Sequence, residues 1–315
     1  MTTGSAPLFS IVMPVFNGAA HIQETIASLQ AQTLGDFELL VMDDGSTDNT
    51  AAIVQQLAAS DARISLHRLT NGGAAYARNQ GLQRARGKFL AVNDADDLWP
   101  EDRLASQYAV LQEDETRIVV GGVQRFALDE KGEKNWGYIT CLPENNLRGR
   151  DYVYYLLSLP ENHMAIFHTL CGKKDIIAAQ GGWDKSLVSA EDWDHWLRLG
   201  LHANFYHLDK VLLYYRKYPS SVTSRMSKDR SLNCQLSIIK KAAKMLPLSI
   251  WAQRHYAGYR FKEAIQNFNY QGNFFLAQKT LLRAAIFSNL PFQKAFYSLA
   301  LDLIKGVARS LVGKR

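Results

Sequence analysis

Phe9-Ser-Ile-Val-Met-Pro-Val15, Phe37-Glu-Leu-Leu-Val-Met42, Ile64-Ser-Leu-His-Arg68 and Lys88-Phe-Leu-Ala-Val-Asn93 read as four short strands near the start of the chain, and what separates them decides the fold. Ala19–Gln32 has the spacing of an amphipathic helix. A second helix runs to about Ser60, with Ser46 or Thr47 as its cap, and a third covers Gly73–Arg86. Strands alternating with helices of this length are βαβ units, so the sheet is expected to be mainly parallel. A continuous apolar run, rather than an alternating one, is what a strand buried on both faces of such a sheet requires.

Ligands of parallel sheets sit beyond the carboxyl ends of the strands. The polar residues at those ends are Phe16-Asn17-Gly18, Asp43-Asp44-Gly45 and Asp94-Ala95-Asp96-Asp97. In extended chain, residues two apart point the same way, so Asp94 and Asp96 can face one pocket. Two hard carboxylate oxygens suit Mg²⁺ or Mn²⁺ carrying a diphosphate. A solvated acidic loop before Leu98-Trp99-Pro100 is the plainer reading, and the position after a buried strand weighs against it. A carboxylate such as Asp44 at a strand end can accept from a base N–H or a ribose hydroxyl. Glu191-Asp192-Trp193-Asp194-His195-Trp196-Leu197 begins another helix. Acids in a first turn suit the helix dipole, and one that faces a pocket can act as a general base.

The 315 residues are 47% apolar, enough for a sizeable core. Cys141, Cys171 and Cys234 form no C-x-x-C pair, which fits a reducing compartment and gives no support to a zinc site. Met1–Pro7 is short and uncharged and does not read as a secretory signal, and no apolar run is long enough to span a membrane. The expected location is cytoplasmic, at most peripheral on the inner face of the cell membrane.

From about Pro100 to Pro219 the pattern is less regular, with strand-like Ile118–Val123 and Val211–Arg216, a turn at Gly181-Gly-Trp-Asp184 and a helix from Glu191 to about Leu201. After Ser231 it is wholly helical. Lys240–Arg315 holds 13 Lys and Arg against two acids, Glu263 and Asp302, whereas the whole chain carries only +6. Phe296, Leu299, Leu303, Val307 and Leu311 recur at helical spacing there. That stripe fits either a helix docked on the protein or one lying on anionic lipid; nucleic acid is not the expected target.

With these pieces in order, the chain from about residue 8 to 224 resembles the family 2 inverting glycosyltransferases of GT-A fold. The resemblance is carried by Ser10-Ile-Val-Met-Pro-Val-Phe-Asn17, the segment from Leu40 to Asp48, Asn71-Gly-Gly-Ala-Ala-Tyr-Ala-Arg-Asn-Gln-Gly81, Phe89 to Asp97, Gly181-Gly-Trp-Asp184, Glu191-Asp-Trp-Asp-His-Trp-Leu-Arg198 and Tyr214-Tyr-Arg216. It implies a GT-A type Rossmann-like, mainly parallel sheet flanked by helices, with a catalytic domain over residues 1–230 and a basic helical C-terminal extension over 231–315. Residues 8–100 would form the nucleotide-binding half and 101–230 the acceptor-binding half. It further implies that Pro14, Phe16, Asp44, Arg78 and Asp94 bind the nucleotide sugar, with Asp44 facing the base. Asp94 and Asp96 would hold Mn²⁺ or Mg²⁺, Asp96 as the direct ligand. Trp183 and Glu191 would meet the acceptor, and Asp192 would remove its proton. The donor is expected to be a nucleoside-diphosphate sugar, a UDP-sugar foremost. The acceptor is expected to be a saccharide or lipid-linked saccharide of cell-surface polysaccharide or glycolipid synthesis. One departure stands out: the family often carries His two places after the arginine of its Y-R segment, and here that place is Tyr218, with His163 or His168 as substitutes.

Other readings fit less well. An aspartyl-nucleophile phosphatase would place its acidic motif near the first strand, and a nucleotidyltransferase would carry a Gly-rich basic loop where Phe16-Asn17-Gly18 stands. A sugar-nucleotide or carbohydrate-binding protein without catalysis is the remaining alternative, and the pairing of Asp96 with Asp192 argues against it.

Overall fold

All seven residues of β1 (Phe9–Val15) and all seven of β2 (Phe37–Asp43) are buried, as are the four of β4 (Phe89–Val92). In the computed structural model, which describes residues 6–142, 147–159, 161–187, 189–219, 228–246 and 280, these strands lie at the heart of an eight-stranded sheet. With β3 (Ile64–Arg68), β5 (Arg117–Leu128), β6 (Lys134–Thr140) and β7 (Cys171–Lys173), the order is β3-β2-β1-β4-β7-β5-β6, and β8 (Asn204–Arg216) pairs with β5. β1 runs parallel to both β2 and β4, β2 to β3, and β5 to β8, while β7 is antiparallel to β4 and β5 and β6 is antiparallel to β5. The sheet is thus mostly parallel.

Helices α1 (Ile22–Gln30), α2 (Thr50–Ser60) and α3 (Ala74–Arg84) are the crossovers of the first four strands, and α4 (Arg103–Glu113) leads to β5. α1 buries Ile22, Ile26 and Leu29 at the three-and-four spacing of one face. α3 packs so closely that a Cβ on Gly81 would meet Val12 at 2.3 Å. Then follow α5 (Gly149–Ser158), a 3₁₀ segment (Glu161–Thr169), α6 (Lys174–Ala178), α7 (Glu191–Gly200) and α8 (Lys228–Met245). Because the chain runs from β1 to β2 and β3 on one side and returns through α3 to β4 on the other, a crevice opens beyond the carboxyl ends of β1 and β4.

Two expectations shift. Neither Ser46 nor Thr47 caps α2, which begins at Thr50; Asp48 Oδ1 accepts from the Thr50 amide instead. Ser46 Oγ and the Thr47 and Asp48 amides bond to Asn17, so the turns after β1 and β2 are stitched together. The strand-like run at Ile118–Val123 is also only the first half of a longer strand, β5, pleated against β8 over most of its length.

The chain forms two compact units, Met1–Val153 with Asn162–Ser221, and Tyr154–Glu161 with Val222–Arg315. In the second, α8 buries Leu232, Leu236, Ile239 and Ala242. The apolar stripe from Phe296 to Leu311 lies outside the described residues. Among the described residues no helix is long and apolar enough to cross a membrane.

Candidate active site

At the carboxyl end of β4 the chain turns through Asp94-Ala-Asp-Asp97, and the side chains diverge there. Asp94 takes a 2.7 Å hydrogen bond from Arg78 Nη2 of α3. Asp96 Oδ2 accepts from the Tyr218 hydroxyl at 2.8 Å, and its carbonyl accepts from Arg216 Nε at 2.8 Å. Asp97 is fully buried; its Oδ1 accepts from the Arg216 amide, while Oδ2 has no hydrogen-bond partner among the described residues.

Arg78 is the hub. Besides Asp94 it donates to Glu191 Oε1 at 2.6 Å and lies 3.4 Å from Asp192 Oδ1, so three carboxylates share one guanidinium. Burial works against that charge, but Asp192, Asp94 and Glu191 outweigh it and hold the guanidinium pKa above its ordinary value. Glu191 and Asp192 open α7, whose Trp193 and Trp196 are buried and fix the helix. Trp183 is 3% exposed; its indole N–H donates to Asp192 Oδ1 at 2.8 Å and its ring lies 4.4 Å from that of His195. It therefore orients Asp192 and offers no open face for stacking a sugar.

His168, the last but one residue of the 3₁₀ segment, sits in the middle of this group. Its Nε2 is 3.3 Å from Asp192 Oδ2, and its Nδ1 is 3.4 Å from Asp94 Oδ2 and 3.7 Å from Asp97 Oδ2. Burial alone would lower the imidazole pKa; the negative Asp94 and the contacts with Asp192 and Asp97 raise it well above the usual value. Asp192 is driven the other way: burial opposes its charge, but Arg78 and His168 keep the carboxyl well below the usual range. Burial pushes Asp97 up to about 7, with Asp96 and Asp94 adding repulsion.

Asp94, Asp97 and His168 each point one ligand atom at the others, all within 4.8 Å. Among the described residues Oδ2 of Asp97 and Nδ1 of His168 are buried without a hydrogen-bond partner, and such atoms call for an explanation, of which an ion is one. Two carboxylates and an imidazole are a donor set suited to a divalent cation such as Mn²⁺.

On the nucleotide side, Pro14 is buried in β1 and Phe16 stands 53% exposed at its end. Asp44 is buried, with both carboxylate oxygens taken by the amides of Gly72 and Gly73 at 2.8 Å, so it shapes the turn that starts α3. The structure thus brings together Arg78, Asp94, Glu191 and Asp192 as one cluster, with Asp96 turned to Tyr218 beside it and Phe16 and Asp44 at the β1 and β2 ends. The sequence offered His168 only as an alternative to His163 in place of the family's histidine, and gave Asp97 no role of its own. His168 has no flanking pattern, and Asp97 differs from its neighbours only in which way the turn aims it. The side chain of His163 lies outside the described residues.

This mostly parallel sheet, flanked by helices and bearing an acidic turn at its switch point, is the GT-A type of fold. The chain belongs to Glycosyl transferase family 2, which matches residues 10–177. It is similar to WfgD of Escherichia coli, a "UDP-Glc:alpha-D-GlcNAc-diphosphoundecaprenol beta-1,3-glucosyltransferase", at 41% identity over 120 residues, covering 37% of this chain and 46% of that protein. Among solved structures it resembles Staphylococcus aureus TarS 1-349 in complex with UDP-GlcNAc, with a TM-score of 0.62 and 20% identity over 95% of this chain and 88% of that one. It also resembles the mannosyltransferase PcManGT of Pyrobaculum calidifontis in complex with GDP-Man and Mn²⁺, with a TM-score of 0.55 and 19% identity over 99% and 89%. The chain spans about half the length of the curated relatives it matches.

Proposed function

We propose that the protein is an inverting, metal-dependent glycosyltransferase that moves a sugar from a nucleoside-diphosphate donor to an acceptor hydroxyl. The observation that carries this reading is the placement of Asp192 against the Asp94–Asp97 turn, 3.3 Å from the imidazole that those acids surround. A base for the acceptor and the anchor for the diphosphate thereby stand side by side, as a single in-line displacement needs. A divalent cation at the turn would neutralise charge on the leaving diphosphate. Asp192 accepts the acceptor proton, held by Trp183 and Arg78; the exposed Phe16 and the Asp44 turn border the nucleoside.

A UDP-sugar donor and a lipid-linked saccharide acceptor are supported by the name of WfgD and by the UDP-GlcNAc complex of TarS, and the product would enter a surface polysaccharide or glycolipid. The test is release of UDP, GDP or dTDP from a panel of donor sugars with Mn²⁺. Turnover should vanish with EDTA and return with Mn²⁺ or Mg²⁺; undiminished turnover after chelation would remove the metal from the mechanism.

The surplus of cations after Lys240 supports attachment to an anionic membrane surface, where a lipid-linked acceptor would lie. Chain shortened to end at Ser288 should then lose binding to anionic vesicles, and the full chain should bind less as salt rises. Equal binding by both would end that part of the reading.

A further inference from the structure

We propose that His168 is the nitrogen ligand of the bound cation, completing a site with Asp94 and Asp97, and that its opposite nitrogen holds the base Asp192 in place. The proposal rests on the glycosyltransferase reading only for the name given to Asp192; the ligand set stands on geometry.

Among the described residues Nδ1 of His168 has no hydrogen-bond partner, and it stands 3.4 Å from Asp94 Oδ2 and 3.7 Å from Asp97 Oδ2, the second of these oxygens being equally buried and without a hydrogen-bond partner there. Neighbouring ligands of an octahedral ion, each about 2.1 Å from it, stand roughly 3 Å apart. His168 Nδ1 is close to that spacing from both oxygens, and all three atoms lie within 4.8 Å of one another. Asp96 is drawn away from them by the 2.8 Å bond from Tyr218.

The backbone around His168 is fixed in advance. Its carbonyl accepts from the buried Arg103 Nη2 of α4 at 3.0 Å, and the next carbonyl, of Thr169, accepts from Gln107 at 2.8 Å. The Thr169 hydroxyl in turn accepts from the Gly121 amide of β5 at 3.0 Å. A rigid helix and a central strand thus position the imidazole.

Ligation through Nδ1 requires the proton on Nε2, which lies 3.3 Å from Asp192 Oδ2. Metal-bound histidines commonly give their second N–H to a carboxylate, which fixes ring and tautomer. Here that carboxylate is the base itself, so filling the cation site also sets the orientation of Asp192. An imidazole among the ligands favours Mn²⁺ over Mg²⁺.

The experiment is pulsed electron paramagnetic resonance on the full chain with Mn²⁺ alone. The expected result is a directly bound nitrogen coupling that changes on ¹⁵N-histidine labelling. In His168→Gln the coupling should disappear and Mn²⁺ affinity fall by about tenfold or more. Asp192→Asn and Tyr218→Phe should retain the coupling. Bound Mn²⁺ without nitrogen coupling in the unaltered protein, no Mn²⁺ binding at all, or an unchanged spectrum in His168→Gln would each overturn the assignment. The wild-type spectrum decides even if a variant fails to fold. Sugar transfer without the coupling would sink this inference and leave the proposed function standing; coupling without turnover of any donor would do the reverse.

Discussion

Three groups address one carboxylate at Asp192: the Trp183 indole, the Arg78 guanidinium and the His168 imidazole. Such a carboxylate is ionised and fixed in direction, which a base needs, although each contact also lowers its basicity. An acceptor hydroxyl holds its proton far above neutral pH, so attack on the donor requires a proton acceptor in the transition state. General-base assistance is worth about 10²–10⁴-fold. Asp192→Asn preserves shape and the indole bond but cannot take the proton, so kcat should fall by that factor. The donor Kd, read by calorimetry, should hardly change, since the proposed nucleoside site is at the β1 and β2 ends. Near-normal kcat in Asp192→Asn together with a loss in Glu191→Gln would exchange the two roles. At this scale the sequence was legible where the family resemblance assigned acids to one site: Asp94, Glu191 and Asp192 meet at Arg78, whereas Asp96, which its spacing set beside Asp94, bonds to Tyr218. What one-dimensional pattern could not carry was direction. It did not show that Arg78 would serve carboxylates, that both oxygens of Asp44 would be spent on Gly72 and Gly73, or that His168 would arrive from a 3₁₀ segment seventy-odd residues after the acidic turn.

At the scale of elements, α3 and α7 meet through a turn that only glycine can make. Gly182 has φ +69°, and a Cβ placed on it would come 2.2 Å from Asn79 Oδ1. Asn79 of α3 bonds both the amide and the carbonyl of Trp183, and Arg198 of α7 donates to the Gly182 carbonyl at 2.6 Å. Left-handed backbone costs a non-glycine residue about 1–2 kcal/mol, and overpacking typically adds about 1–3 kcal/mol. Gly182→Ala should therefore lower the urea midpoint by an amount equivalent to about 2 kcal/mol or more, and reduce kcat because Trp183 no longer aims at Asp192. A variant with unaltered stability and turnover would show that the turn can relax. The elements read well from sequence are those with a single physical demand. β1, β2 and β4 are buried on both faces, and α1 has one apolar side. β6 escaped because six of its seven residues are exposed, leaving no alternation to see, and β7 is only three residues long. Both are held by pairing with β5, a non-local cause that periodicity does not record.

Across the first compact unit, one buried carboxylate joins three parts of the central sheet. Glu38 of β2 accepts from the Ser10 hydroxyl of β1 at 2.7 Å and from the Arg86 amide at 2.7 Å and Nε at 2.9 Å, just ahead of β4. The Gly87 amide completes the link by donating to Ser10 Oγ at 2.8 Å. Burial would raise the Glu38 pKa, but the Arg86 amide, the Ser10 hydroxyl and the Arg86 guanidinium outweigh it, and the folded value lies below the ordinary one. Lower in the folded than in the unfolded state, this pKa contributes stability that is complete above the unfolded value near 4.3 and disappears as pH falls through the folded value. Hydrogen bonds to charged groups are worth about 1.5–3 kcal/mol, and Glu38 is only 6% exposed, so solvent screens them little. Glu38→Gln keeps an acceptor for Ser10 but turns an amide N–H₂ toward the Arg86 guanidinium, donor against donor. Urea unfolding should show the variant less stable by about that amount between pH 6 and 8, with the gap shrinking below pH 4.3 as the wild-type carboxylate protonates. A gap that stays constant down to pH 3 would mean that the variant suffers from packing, and that the charge of Glu38 does not hold β1, β2 and the approach to β4 together.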